Sequence, residues 1–142
     1  MFRAFPMILI AVLLYNLVVF GGLAAGQHDM GGLLAQKFSF LLFSGDSWSI
    51  SIGDLFLTLG LLMLFIETIK ATRTSKRELL NHALSMLTFI GALVEFIVLK
   101  GFGTSTFFLI TAMALFDVVA GYTISIVAAR RGVAVEHHDY QD

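Results

Sequence analysis

The stretch ISIGDLFLTLGLLMLFIETI, residues 50–69, is followed at once by KATRTSKRE, residues 70–78. Twenty residues at a rise of about 1.5 Å each span about 30 Å, the thickness of a bilayer's hydrocarbon core. The basic cluster that ends the run then has a clear meaning. It stops the helix at a membrane face and marks that face by its Lys and Arg side chains.

Working outward, three more runs have the same character, about Phe5 to Ala25, Leu79 to Leu99 and Thr106 to Ala129. The chain of 142 residues is 58% hydrophobic and only 13% charged, about half the charged share of a soluble domain, so lipid is the expected solvent. Backbone groups in lipid must be satisfied within the segment, and runs this long and uniform suit helices and not barrel strands. The expected fold is therefore all-α, an integral membrane four-helix bundle. Residues 1–132 form one transmembrane domain with helices at about 5–25, 50–69, 76–99 and 106–129. Residues 133–142 form a flexible tail.

Charge sets the expected direction. Arg3 precedes the first run; Lys70, Arg73, Lys76 and Arg77 fill the second connector; Arg130 and Arg131 end the fourth run. With four crossings all three clusters share one side, which places both termini in the cytoplasm. Ser75 and Glu78 have the spacing of a capping box, so the third helix should start near Lys76. A rival reading takes Arg3, the first apolar run and GGLAAGQ, residues 21–27, as a secretory signal whose cleavage leaves three spans. The length of that run and Asn16 within it favour retention. The loop at 26–49 should face outward, with FSFLLF, residues 38–43, in the interface and Trp48 at headgroup depth; it either packs on the outer end of the bundle or docks on a partner.

The chain contains no cysteine, which excludes disulfides, thiolate metal sites and a cysteine nucleophile. The adjacent His137 and His138 are a poor metal signal, and neither a metal nor another cofactor is expected. Phosphate-binding, zinc-protease and serine-hydrolase motifs are missing, so nothing supports an enzyme. Net charge is −1 at pH 7, which gives no reason to expect nucleic acid.

Ionisable groups inside a membrane are rare and usually face the bundle interior. The candidates are Asp54, Glu67, His82, Glu95 and Asp117, with Asn16 as a neutral companion. By depth they sort into an Asp54–Glu95 layer, a central Asp117–Asn16 layer and a Glu67–His82 layer. Thirteen residues separate Asp54 from Glu67, and also His82 from Glu95, a rotation of about 220° on a helix, so no single straight file joins them. Asp54 near a helix N-terminus suits the macrodipole. Glu67 can reach toward Lys70 or Arg73, and His82 toward Glu67 or Tyr122. Glu95 and Asp117 have two readings: protonated carboxyls that donate to Asn16 or Thr88 and hold helices together, or proton-binding groups. Gly91, Gly121 and Ser125 should permit close helix packing.

Two segments, GDLFLTLGLLMLFIETIKATRT (53–74) and STFFLITAMALFDVVAGYTISIVAARR (105–131), resemble a family of small bacterial inner-membrane proteins of uncharacterised function. The resemblance implies a four-helix protein of the bacterial inner membrane and no assigned activity. Small multidrug transporters share the size, but their coupling acid lies in the first span, where this chain has only Asn16. The expected role is a non-enzymatic accessory or assembly subunit whose partners are the lipid bilayer and another membrane protein or further copies of itself. The alternative is a proton- or cation-coupled carrier or channel.

Overall fold

The computed structural model describes residues 5–71 and 76–138; the side chains of residues 76–79, 125 and 128–138 are outside that description. Helix α1 (Ile8–Ala24) is followed by a short helix α2 (Met30–Leu34) and by strands β1 (Lys37–Leu41) and β2 (Ser47–Ser51). Three long helices complete the chain, α3 (Ile52–Ala71), α4 (Lys76–Val98) and α5 (Ser105–His138). Residues 133–138, expected in a tail, belong to α5.

The expected four-helix bundle is corrected on two counts. Five helices form among the described residues, and three of them are long and apolar enough to cross a membrane: Ile52–Ala71, Leu80–Val98 and Ser105–Ile124. Helix α1 has 17 residues, about 25 Å of rise, which is short of the core thickness. Its apolar run is trimmed at both ends by local chemistry. Pro6 precedes the first turn, and its carbonyl accepts from Leu9 N–H at 3.2 Å. At the other end Gly26 adopts φ +82°, and Gln27 N–H and Gly26 N–H turn back to the carbonyls of Gly22 and Leu23. That pair of bonds is a Schellman closure, which a left-handed glycine permits. The orientation with both termini in the cytoplasm required four crossings and does not stand.

The second correction is the segment at 26–49. The Asp29 side chain accepts from Gly32 N–H at 2.8 Å and starts α2, which buries Met30 and Leu34. The FSFLLF stretch is not a loop: residues 38–41 belong to β1, which pairs antiparallel with β2, Phe38 opposite Ile50 and Phe40 opposite Trp48. Strand alternation puts Phe38, Phe40, Trp48 and Ile50 on one face, while Ser39, Ser47, Ser49 and Ser51 occupy the other. Gly45 at φ +90° closes the connecting loop.

Helix α3 begins at the residue after β2. Ser51 N–H donates to Asp54 Oδ2 at 2.8 Å, and Asp54 N–H donates to Ser51 Oγ at 3.0 Å, a reciprocal cap. The buried face of α3 is Gly53, Gly60, Glu67 and Ala71. A side chain at Gly60 would fall 2.9 Å from Met113 Sδ, so this glycine lets α3 and α5 close on each other. Helix α1 runs antiparallel to α3, with Met7 beside Glu67 and Tyr15 against Phe56.

The core nearest the hairpin is aromatic. Tyr15 is fully buried, with its ring centroid 4.6 Å from Phe107 and 5.4 Å from Phe56, and its hydroxyl is 2.5 Å from Thr104 Oγ1. Farther from the hairpin the usual arrangement of a soluble protein is inverted. Leu61, Phe65, Leu87 and Phe116 are each at least 60% exposed, whereas Glu67, Asn81, His82, Ser85, Thr88 and Asp117 are buried. Such a surface suits hydrocarbon as its surroundings, and the chain is a small polytopic helical membrane protein.

Candidate functional site

At the end of the bundle away from the hairpin, α3, α4 and α5 enclose a polar cluster. Glu67 is its anchor. One carboxylate oxygen, Oε2, accepts from Met7 N–H at 2.8 Å and from Lys70 Nζ at 3.0 Å. The other, Oε1, accepts from Asn81 Nδ2. Lys70 also donates to the Phe5 carbonyl at 2.7 Å. One buried carboxylate thus ties the start of α1, the end of α3 and the start of α4 together, with a cation and two neutral donors around it. A buried charge without such partners would be strongly destabilising.

Asn81 sits on the inner face of α4, and that face is polar. Asn81, Ser85, Thr88 and Ala92 follow one another at helical spacing, and all are buried. Thr88 donates to the Leu84 carbonyl at 2.9 Å, so its hydroxyl serves its own helix. Ser85 lies beside Asp117 of α5, and the charges of Glu67 and Lys70 are near enough to act on that carboxylate. Ser85 Oγ and the Asp117 carboxyl are hydrogen-bonding neighbours of each other, and neither Ser85 Oγ nor Asp117 Oδ2 finds another polar partner. Asn81 Oδ1 is a third buried oxygen without one.

His82 is buried beside the cluster, and its ring lies 5.4 Å from that of Tyr122. It packs directly on Gly121, where a Cβ would fall 2.5 Å from His82 Nδ1, so α4 and α5 meet there with no room for a side chain. Gly91, expected in a similar contact, has nothing within 4 Å of where its Cβ would be. The side chain of Ser125 lies outside the described residues, as do those of Lys76, Arg77, Arg130 and Arg131 and the whole of Arg73 and Ser75.

The three depth layers expected from sequence are not the groups that form. Asn16 does not face Asp117. Its Nδ2 donates to both carboxylate oxygens of Glu95, at 3.0 and 3.1 Å, and joins α1 to α4. The reason is helical phase: Tyr15 points at α3 and α5, and the next residue is turned by about 100° toward α4. A groove of about 250 Å³ between α1 and α4, walled by Leu9, Leu13, Leu84 and Leu87, leads to this pair. Asp54 does not join Glu95, since its carboxylate caps α3 with Ser51. The hairpin end also carries open depressions lined by Asp29 and Asp54, and both carboxylates are already engaged as helix caps.

Asn81, Ser85 and Tyr15 were not among the residues singled out from sequence. A signal existed for the first two, as polar and small residues recur at 81, 85, 88 and 92 through a helix otherwise rich in Leu. Among the described residues no group of three or more His, Asp or Glu side chains is arranged to hold a metal ion. No family model, curated protein or solved structure matches the chain. What stands is a small all-α membrane protein with three membrane-length helices, a buried Glu67–Lys70 ion pair and two separate polar contacts between helices.

Proposed function

We propose that the protein is a non-enzymatic accessory or assembly subunit of a membrane complex, and that it docks through its β-hairpin. The observation that carries this reading is the uncovered aromatic face of that hairpin. Phe38, Phe40 and Trp48 are each about half exposed, and Phe43 at the tip is fully exposed. A two-stranded hairpin is marginal by itself and needs a cover over its apolar face. Aromatic side chains bury about 150–250 Å² each, so covering these four contributes on the order of 10 kcal/mol before ordering costs are deducted. The hairpin runs without a linker into the membrane-length α3, which holds that face at the bilayer boundary, where a neighbouring membrane subunit would meet it. The resemblance of the 53–74 and 105–131 segments to small bacterial inner-membrane proteins is the support for placing it in a bacterial inner membrane.

The test is extraction from native membranes in mild detergent. The wild type is expected to carry a stoichiometric partner, and a Phe40→Ser/Trp48→Ser variant that still inserts is expected to lose it. Recovery of the wild type alone, or only as copies of itself, under several mild detergents would overturn the reading.

A second reading, a proton- or cation-coupled carrier or channel, is favoured by one observation: Asp117 is buried with an unpartnered oxygen among further polar groups. Because Glu95 and Asp117 sit in different helix contacts, a route through both needs a bent path or an oligomer. Flux in reconstituted vesicles, wild type against Asp117→Asn, tests it; equal flux, or none, removes it.

A further inference from the structure

We propose that the groove between α1 and α4 binds a lipophilic amine, a molecule with one apolar chain and one protonated nitrogen, and that Glu95 is its counter-ion. The groove opens on the outside of the bundle between Leu13 of α1 and Leu84 and Leu87 of α4, all three exposed. Gly91 also lines it and has nothing within 4 Å of where a Cβ would stand, so the groove is open over that turn of α4. Asn16 and Glu95 line the same groove, and both are half-buried. Thr88, the other polar residue of the lining, bonds to the Leu84 carbonyl of its own helix. Apolar walls with a few placed polar groups are the usual composition of a small-molecule site, the polar groups fixing the orientation of the ligand.

Shape selects the chain. From Leu84 to Glu95 the rise along α4 is about 16 Å, half the thickness of the hydrocarbon core. A volume of about 250 Å³ spread over that length has a cross-section of about 16 Å², which suits a single chain and is far less than a helix about 10 Å across. Glu95 stands less than one turn before Val98, the end of the membrane-length segment, so the polar end of the groove is near a membrane face and the apolar end points toward the middle. Charge selects the head. Glu67 is matched by Lys70, but Glu95 is bonded to the neutral amide of Asn16, so a carboxylate here brings a whole negative charge to the groove. Such a charge is costly in a membrane unless it is paired. A carboxylate has about four acceptor sites, and Asn16 Nδ2 uses one on each oxygen, so a second donor has room to bond. An ammonium group supplies both the opposite charge and the N–H donors, and charge-assisted bonds are about twice as strong as neutral ones. The claim is one of binding and is independent of what covers the hairpin.

The experiment reconstitutes the full chain in phosphatidylcholine vesicles and adds a long-chain primary amine with a photoreactive group in its chain. An alcohol with the same chain and photoreactive group is the neutral comparison. After illumination, labelled peptides are mapped by mass spectrometry. The amine is expected to label α1 and α4 saturably, with the alcohol weaker by at least about tenfold in half-saturating concentration. Glu95→Gln keeps the shape of the side chain and should weaken the amine by a similar factor while leaving the alcohol unchanged. Gly91→Leu should fill the groove and remove labelling by both probes, whereas Leu115→Ala, at an exposed position of α5, should change nothing. If Glu95→Gln does not insert, Gly91→Leu and the comparison of amine with alcohol decide. Equal labelling by amine and alcohol would overturn the proposal and leave an ordinary lipid chain as the occupant. Labelling of the wild type and Glu95→Gln at the same concentrations would overturn it too, as would the lack of any saturable labelling of α1 and α4, which would leave that face to a neighbouring helix.

Discussion

Replacing Lys70 by Met isolates the energetics of the Glu67 anchor. The substitution keeps an unbranched side chain of similar length and removes the ammonium group 3.0 Å from Glu67 Oε2. Glu67 retains Met7 N–H and Asn81 Nδ2, but its charge is no longer matched. Removing one partner of a buried ion pair costs roughly 3–5 kcal/mol, chiefly because the other charge is stranded. The Lys70 side chain is 24% exposed against 2% for Glu67, so solvent and headgroups soften the loss and the expected value lies near the lower end, about 3 kcal/mol. The double variant Lys70→Met/Glu67→Met removes both charges and should recover to within about 1–2 kcal/mol of the wild type, since an apolar pair of similar volume is often neutral. Equilibrium unfolding in mixed micelles with increasing dodecyl sulfate compares the wild type, the single variant and the double variant. A single variant that loses less than about 1 kcal/mol, or a double variant as unstable as the single, would refute the reasoning.

Three further substitutions test the packing and the polar contacts. Gly121→Ala places a Cβ 2.5 Å from His82 Nδ1 and should cost about 1–3 kcal/mol as overpacking, whereas Gly91→Ala enters open space and should be neutral or slightly stabilising; the same unfolding assay compares them. Tyr15→Phe deletes the hydroxyl bonded to Thr104 Oγ1 while keeping the ring contacts, so a loss of about 1 kcal/mol is expected, and Thr104→Val in the Tyr15→Phe background should add little. Asn16→Leu withdraws the amide that donates to both oxygens of Glu95 and should cost about 1–3 kcal/mol, a loss that Glu95→Gln in the same chain reduces by removing the stranded charge; a thermal midpoint unchanged in Asn16→Leu would show that the contact does not hold α1 to α4.

The long helices were legible in the sequence because their signal is a sum over about twenty residues. The run at 50–69 and the observed α3 at Ile52–Ala71 differ only at their ends. The length of α1 depended instead on Pro6 and Gly26, two single residues whose effect is geometric and leaves hydropathy almost unchanged. The hairpin was hidden for a related reason: FSFLLF reads as one apolar block, and its alternation appears only when Ser39 is paired with Ser49 and Phe40 with Trp48 across the turn. Depth along a helix was likewise a poor guide to the polar groups. Asn16 and Asp117 lie at similar expected depth but point at different neighbours, and direction is fixed by which side of each helix meets the bundle. Glu67 was legible as a group near Lys70, yet its bond to Asn81 required knowing that α3 and α4 come together at that end.

Strand β2 becomes helix α3 between Ser51 and Ile52, and the Ser51–Asp54 bonds clamp the joint on both sides. The junction has no slack. A torque applied to the hairpin is therefore a torque on the helix, and a stiff rod of fifteen further residues carries it roughly 22 Å to Glu67. A partner on the aromatic face at one end of α3 would hold a lever whose other arm ends among the charges at the far end of the helix.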